Sequence, residues 1–383
     1  MARWIVLFLV SVGIGKANWA AAEILYTNAG SPTGLDEEIR WRVNRGRSNT
    51  TLENQLRGTA YTDVPASAGP LAPNQSLTLA ARHQSEDMAK NNLFQHATVP
   101  GSAYYNAVTQ PQPWDRMTAE GYVWNNAGEN IAAGYSGAEA TYVGWWNSTG
   151  HRQNMYNAAL REIGDGYYYW SASTYGRYYT MDLGTSGNHV FLTDTLFQDK
   201  NGNGVYDSGE GVPAIAVRLM AGSQRQSSFD LSSGVGSFAV PIQSISPGAV
   251  VSVLLSNTAA TNITLSVPVN YASLTNFSLA AGQERVYGTF VQPAGTANIG
   301  LRSVTPMPSA ISSSRISVTK AGSVVTLTWP SQAGLQYQLQ WSHDAQTWSN
   351  LGSSLPGTGG AVTFVDSAPA TDHRLYRLSI LGP

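Results

Sequence analysis

Cysteine is absent from the 383 residues, which excludes disulfide staples, thiolate metal sites and cysteine nucleophiles together. Charge is scarce as well: Asp, Glu, Lys and Arg make up 12% of the chain, about half the usual share of roughly 25%. The formal net charge is -2 and, outside the arginines of residues 40–47, Lys and Arg are scattered, so nucleic acid is not an expected partner. Long apolar runs are missing too. The longest, Trp4 to Gly15, falls short of the roughly 20 residues of a membrane-spanning helix. With Arg3 ahead of it and Ala20-Ala21-Ala22 behind, it reads as part of a secretory signal over residues 1–22, followed by a linker at 23–34. The expected destination is outside the cell or on its surface, with no transmembrane segment left once the signal is cleaved.

What the chain does have is 42% hydrophobic residues and 38 glycines among many Ser, Thr and Asn residues, a composition for folded, turn-rich domains rather than for disorder. Its length suits two or three domains. Leu35 to Arg47 opens on acids, ends in arginines and stacks Leu35, Ile39 and Val43 at helical spacing. A Gly-, Pro- and Ser-rich loop is expected from there to about Pro73. Asn74 or Ser76 can cap a second helix running to about Asn92, with Leu77, Ala81 and Met88 on one face. A third helix is expected over Ala138 to Trp146, and a hairpin turn at Ser173 to Gly176.

Beyond His189 helical periodicity fades. Short β-branched runs at Ala214–Leu219, Val250–Leu255 and Ile263–Val269 alternate with turn residues, which predicts two all-β sandwiches at 189–303 and 315–383. The stretch 304–314 (VTPMPSAISSS) between them reads as a linker. In the smaller sandwich Trp329, Trp341 and Trp348 are expected to supply much of the core.

Two constellations carry chemistry. The first consists of Leu93-Phe94-Gln95-His96, Ala127 to Ala132 (AGENIA), Trp145 to Met155 (WWNSTGHRQNM) and Ile163-Gly164-Asp165-Gly166. Two imidazoles and a carboxylate are, as an inventory, enough for a zinc site with an open position. Equally, His96 and His151 can be hydrogen-bonded structural residues, with Glu129 pinning a loop at Gly128–Asn130. Ser148, His151 and Glu129 also match the inventory of a serine hydrolase, though no nucleophile turn or oxyanion loop surrounds Ser148.

These four phrases resemble the CAP superfamily, the cysteine-rich secretory proteins and their bacterial SCP-like relatives, from about Leu35 to Gly184, which puts the domain at 35–188. The resemblance implies an α+β domain, an α-β-α sandwich, whose cleft brings two His and two Glu together, in several members around a divalent metal. The histidines fall on His96 and His151 and the first glutamate on Glu129. The second falls on Ser148, which removes one anionic ligand. A possible Zn2+ in the cleft therefore rests on His96, Glu129 and His151.

The second constellation is Asp199 to Glu210 (DKNGNGVYDSGE). It places oxygen ligands Asp199, Asn201, Asn203, Asp207 and Glu210 at loop positions 1, 3, 5, 9 and 12, the Val205 carbonyl at 7 and Gly204 at the sharp turn, the template for Ca2+. Gly211-Val212-Pro213 cannot continue a helix, so a structural ion rather than a sensor is expected. Residues 197–219 resemble the calcium-binding B-type repeats of bacterial surface adhesins. The strand-like runs Val324–Trp329 and Leu335–Ser342 are similar to a fibronectin type III sandwich.

The expected function is binding of a lipid, small molecule or surface component in the cleft, outside a bacterial cell. Two alternatives stand beside it: a metal-dependent hydrolase or peptidase acting through the cleft, and an adhesive or structural protein with a vestigial cleft.

Overall fold

The computed structural model describes residues 32–98, 102, 112–222, 224–268, 273–306, 316–322, 324–331, 336–344, 347–358, 360–367 and 374–382. The signal at 1–22, most of the 23–34 linker and residues 307–314 of the second linker lie outside them. The N-terminal unit contains α1 (Gly34–Ser48), α2 (Thr50–Arg57), β1 (Ala72–Pro73), α3 (Gln75–Lys90), α4 (Pro113–Ala119), β2 (Asn126–Ala133), α5 (Ala138–Asn147), α6 (Thr149–Met155), β3 (Glu162–Tyr169) and β4 (Arg177–Thr185).

Its sheet runs β1-β3-β4-β2, with β1 parallel to β3 and the other pairs antiparallel. Ile39 and Val43 of α1 and Tyr142, Trp145 and Trp146 of α5 cover one face, meeting Ile163, Tyr179, Met181 and Leu183. α3 covers the other, Met88 and Ala89 packing on Ile131 and Tyr178. This is the three-layered α-β-α arrangement expected. Gly164 and Gly166 make it fit. A Cβ at Gly164 would stand 2.0 Å from the Thr78 backbone nitrogen and one at Gly166 2.3 Å from the Ala81 carbonyl carbon. Helix and strand therefore touch backbone to backbone.

Asn74, not Ser76, caps α3, its side chain accepting from the Leu77 N–H. The loop expected from residue 48 to Pro73 is interrupted by α2. Asn49 caps that helix through the Leu52 N–H, and Gly58, at φ 64°, ends it in the left-handed region. Glu129 lies on edge strand β2, not in a loop.

Downstream the chain is largely β-rich, in several sheets. β5 (Phe191–Thr195) pairs with β8 (Ser237–Pro241). β6 (Ile215–Ala221), β7 (Gln224–Leu231), β9 (Val250–Asn257), β12 (Glu284–Val291) and β13 (Thr305–Pro306) form a five-stranded sheet. β10 (Ile263–Pro268) pairs with β11 (Leu274–Leu279). One core unites all three, with Leu192, Val217, Phe238, Val253, Leu265 and Tyr287 buried in it.

The last segment holds β14 (Ser317–Ala321), β15 (Val324–Pro330) and β19 (Ala361–Asp366) in one sheet, and β16 (Gln336–Ser342), β17 (Ser349–Asn350), β18 (Leu355–Pro356) and β20 (Leu375–Gly382) in another. Only one of the three tryptophans expected in its core is fully buried. Trp329 is 1% exposed. Trp341 and Trp348 are half-buried, with the guanidinium groups of Arg374 and Arg377 stacked 4.2 and 4.3 Å above their rings. Tyr337, Leu327 and Leu339 fill the core instead.

The N-terminal unit packs against the β-rich region. Arg40 of α1, paired to Glu37, donates to the Asp194 carbonyl at 3.1 Å and Thr195 Oγ1 at 2.9 Å. Asn298 donates from the other side to the Pro70 and Arg161 carbonyls at 2.9 and 2.6 Å.

Candidate functional site

The edge strand β2 brings Glu129 to the border of the α3 face. Its side chain is 1% exposed and ion-paired to Arg116, itself fully buried. The other carboxylate oxygen lies 2.7 Å from His96 Nδ1. Arg116 Nη1 donates to the His96 carbonyl at 2.8 Å and Thr98 Oγ1 at 3.0 Å, and Gln84 Nε2 to the Gln95 carbonyl at 2.5 Å. The loop carrying His96 is thus tied from α3 and α4, while the imidazole stays 49% exposed.

His151 sits on α6. Asn154 Nδ2 donates to the Glu129 carbonyl at 3.2 Å and Asn130 Oδ1 at 3.0 Å, and Asn130 Nδ2 to the His151 carbonyl at 3.0 Å. These amides cap the outer edge of β2 and seat α6 against it, closing off an edge that could otherwise template another strand. Burial, then the neighbouring His96, lowers the His151 pKa below its ordinary value, so this imidazole is neutral at pH 7.

The sequence thus named three residues that the structure gathers: His96, Glu129 and His151. Ser148 is placed between α5 and α6, where its carbonyl accepts the Arg152 N–H at 2.8 Å. Its hydroxyl makes no capping bond, and among the described residues no hydrogen bond joins it to His151. Arg152 is structural: it forms a two-pronged pair with Asp63 at 2.9 and 2.6 Å and stacks 3.6 Å over Tyr61. Phe94, two residues before His96, and Tyr175 expose their rings and meet at 6.1 Å between centroids.

Sequence reasoning missed the pairing of Arg116 with Glu129, and Asp182 altogether. Asp182 stands directly across from Glu129 in the β2–β4 ladder and is fully buried. Burial and the Glu129 charge push its carboxyl well above the usual carboxylate range. The one signal was register, since β2 and β4 must be aligned before the two acids are seen to face each other.

Zinc does not fit this cleft well. Glu129 meets His96 directly and holds Arg116, the position of a group that orients a histidine rather than of a ligand. That leaves two imidazoles, one fewer than the three protein ligands of a catalytic zinc. Among the described residues no group of three or more His, Asp or Glu side chains is arranged to hold a metal.

The 199–210 loop closes on itself. Asp199 accepts the N–H groups of Gly202, Asn203 and Gly204 at 2.8, 3.2 and 2.9 Å. Asp207 Oδ2 accepts both Asn201 and Asn203 side-chain amides at 2.7 Å. Glu210, 4% exposed, accepts the N–H groups of Lys200 and Asp207 at 2.9 and 3.0 Å. Gly202 and Gly204 turn the backbone at φ 73° and 75°. By residue type the loop can offer a hard cation three carboxylates, two amides that present oxygen after a half-turn and the Val205 carbonyl, but in this structure its three carboxylates are not gathered into a metal-holding group.

Residues 43–183 match the cysteine-rich secretory protein family, CAP, so the chain carries a CAP (SCP) domain over that span. Two curated relatives come from Bacillus subtilis. The uncharacterized protein YkwD is 37% identical over 98 residues, covering 26% of this chain and 35% of its own. The uncharacterized membrane protein YlbC is 33% identical over 137 residues, covering 35% of each. The matched parts thus span about a third of the curated relatives' length.

Among solved structures, an extracellular SCP-domain protein from Bacillus anthracis matches with 27% identity and a TM-score of 0.29, over 40% of this chain and 41% of that one. An outer surface protein from Borrelia burgdorferi matches with 14% identity and a TM-score of 0.30, over 39% and 90%. No helix among the described residues is long and apolar enough to cross a membrane.

Proposed function

We propose that this is a bacterial extracellular or cell-surface protein whose CAP cleft binds a lipid, small molecule or surface component without turning it over. The observation carrying the reading is the engagement of Glu129. With one oxygen on Arg116 and the other on His96, the carboxylate braces the cleft and is not free to accept a substrate proton. Neutral His151 and half-exposed His96 then offer hydrogen bonds, and the rings of Phe94 and Tyr175 offer apolar surface. That combination suits an amphipathic ligand.

Alongside it the 199–210 loop takes a structural calcium ion through Asp199, Asn201, Asn203, Val205, Asp207 and Glu210. Its ligand charge fits the weak extracellular range of roughly 10⁻⁴–10⁻³ M.

Mass spectrometry of the full chain released from bacterial membranes and medium tests the binding. A bound small molecule is expected in wild type and depleted in the folded His96→Ala and His151→Ala variants. Equal retention in both variants would remove the cleft as the binding place.

A further inference from the structure

We propose that the 199–210 loop is a cation site built onto the CAP domain, so that calcium bound there fixes helix α1 as well as its own sandwich. The proposal rests on the calcium reading above and extends it across the domain boundary.

The helix uses two faces. Ile39 and Val43 enter the CAP core, while Glu38, Trp41 and Arg42, spaced three and four apart, form a separate stripe. That stripe meets the loop. Glu38 Oε1 accepts the Ser208 N–H at 2.9 Å. Arg42 Nη1 reaches the Tyr206 carbonyl at 3.5 Å, and its Nη2 lies 4.0 Å from Oδ1 of Asp207, a calcium ligand in this reading. Trp41 packs edge-on against Phe197 at 6.2 Å, and Phe197 against Tyr206 at 5.7 Å. Closest of all, a Cβ on Gly34 would stand 1.8 Å from Ser208 Oγ.

Loop residues Tyr206, Asp207 and Ser208 are therefore gripped by α1, and Asp207 belongs to both the grip and the cation set. In this structure Asp199 is held by backbone N–H groups, and Asp207 by two side-chain amides with the Arg42 guanidinium at 4.0 Å, in a loop whose tip is exposed. A cation drawing Asp199, Asp207 and Glu210 together fixes the segment that Glu38 and Trp41 dock against. Any opening of α1 that disturbs this segment must then release the ion as well, so it becomes rarer as calcium rises.

Hydrogen exchange on the full chain, with calcium or with a calcium chelator, reads both sides at once. At calcium about 100 times Kd, amides that exchange through ion-releasing openings should slow by about 100-fold, in residues 197–211 and in 34–45 alike. Glu38→Ala should leave the loop response intact and shrink that of 34–45, and Glu210→Gln should abolish both. A response confined to 197–211 in wild type overturns the coupling while sparing the calcium site. No response in either segment, with no calcium retained on equilibrium dialysis, overturns the calcium reading and the coupling with it.

Discussion

Arg116→Met isolates the contact on which the cleft depends. Arg116 is fully buried and Glu129 is 1% exposed, so their ion pair is dry. The guanidinium also holds the His96 carbonyl and Thr98 Oγ1. Methionine fills most of the same volume but donates nothing, leaving a buried carboxylate held by His96 at 2.7 Å and by the Asp182 carboxyl. Removing one member of a buried pair typically costs about 3–5 kcal/mol. Against a total stability of roughly 5–15 kcal/mol, that is a large loss. Urea unfolding followed by tryptophan fluorescence should show it as a much lower CAP-domain midpoint. Arg116→Met with Glu129→Leu removes both charges, so the double variant should lose less than Arg116→Met alone. A single variant within about 1 kcal/mol of wild type, or a double variant in which the two losses simply add, would refute the reasoning.

Asp165 gives a pH-dependent test. Burial, then Asp36 and Glu37, raise its carboxyl well above the usual range, and among the described residues its Oδ1 has no hydrogen-bond partner. The contribution of such a group is fully present below the unfolded value of about 3.9 and is lost as pH rises through the folded value. Asp165→Asn, which keeps the shape but cannot ionise, should therefore change stability less favourably at pH 4 than at pH 8, where it removes the cost of the buried charge; an equal change at both pH values would contradict it. Gly166→Ala places a methyl 2.3 Å from the α3 backbone and should lower the CAP-domain melting temperature by several degrees, whereas an unchanged value would mean that helix and sheet are not in contact there. For the middle domain, calcium at 100 times Kd should add about 2.7 kcal/mol. Glu210→Gln should remove most of that increment, and a melting temperature indifferent to EDTA would count against calcium.

The sequence exposed what is local or written in a spaced motif. Helix α3 was legible through Asn74 and the Leu77–Ala81–Met88 stripe, and His96, Glu129 and His151 through their phrases. Helix α2 was not, because TTLENQLR carries few apolar residues and buries just Thr50 and Glu53. The arginine beneath the cleft escaped because a buried Arg looks like a surface Arg until its carboxylate is located across the fold. Trp341 and Trp348 misled for a related reason: an indole can be half-covered by a stacked arginine as readily as by a core. The docking of α1 on the 199–210 loop joins residues about 170 positions apart, as with Glu38 and Ser208, and no periodicity encodes such a pairing.

The most direct test of the binding account is turnover. Wild type, His96→Ala, His151→Ala and Ser148→Ala are incubated as full chains with peptide and ester panels, with and without chelator. The account predicts no hydrolysis above background in any of the four, with the cleft ligand depleted in the two histidine variants. Clear wild-type hydrolysis that disappears in any one variant would contradict it: loss in Ser148→Ala without chelator sensitivity would mark a serine hydrolase, and loss in a histidine variant together with chelator sensitivity would mark a metal-dependent one.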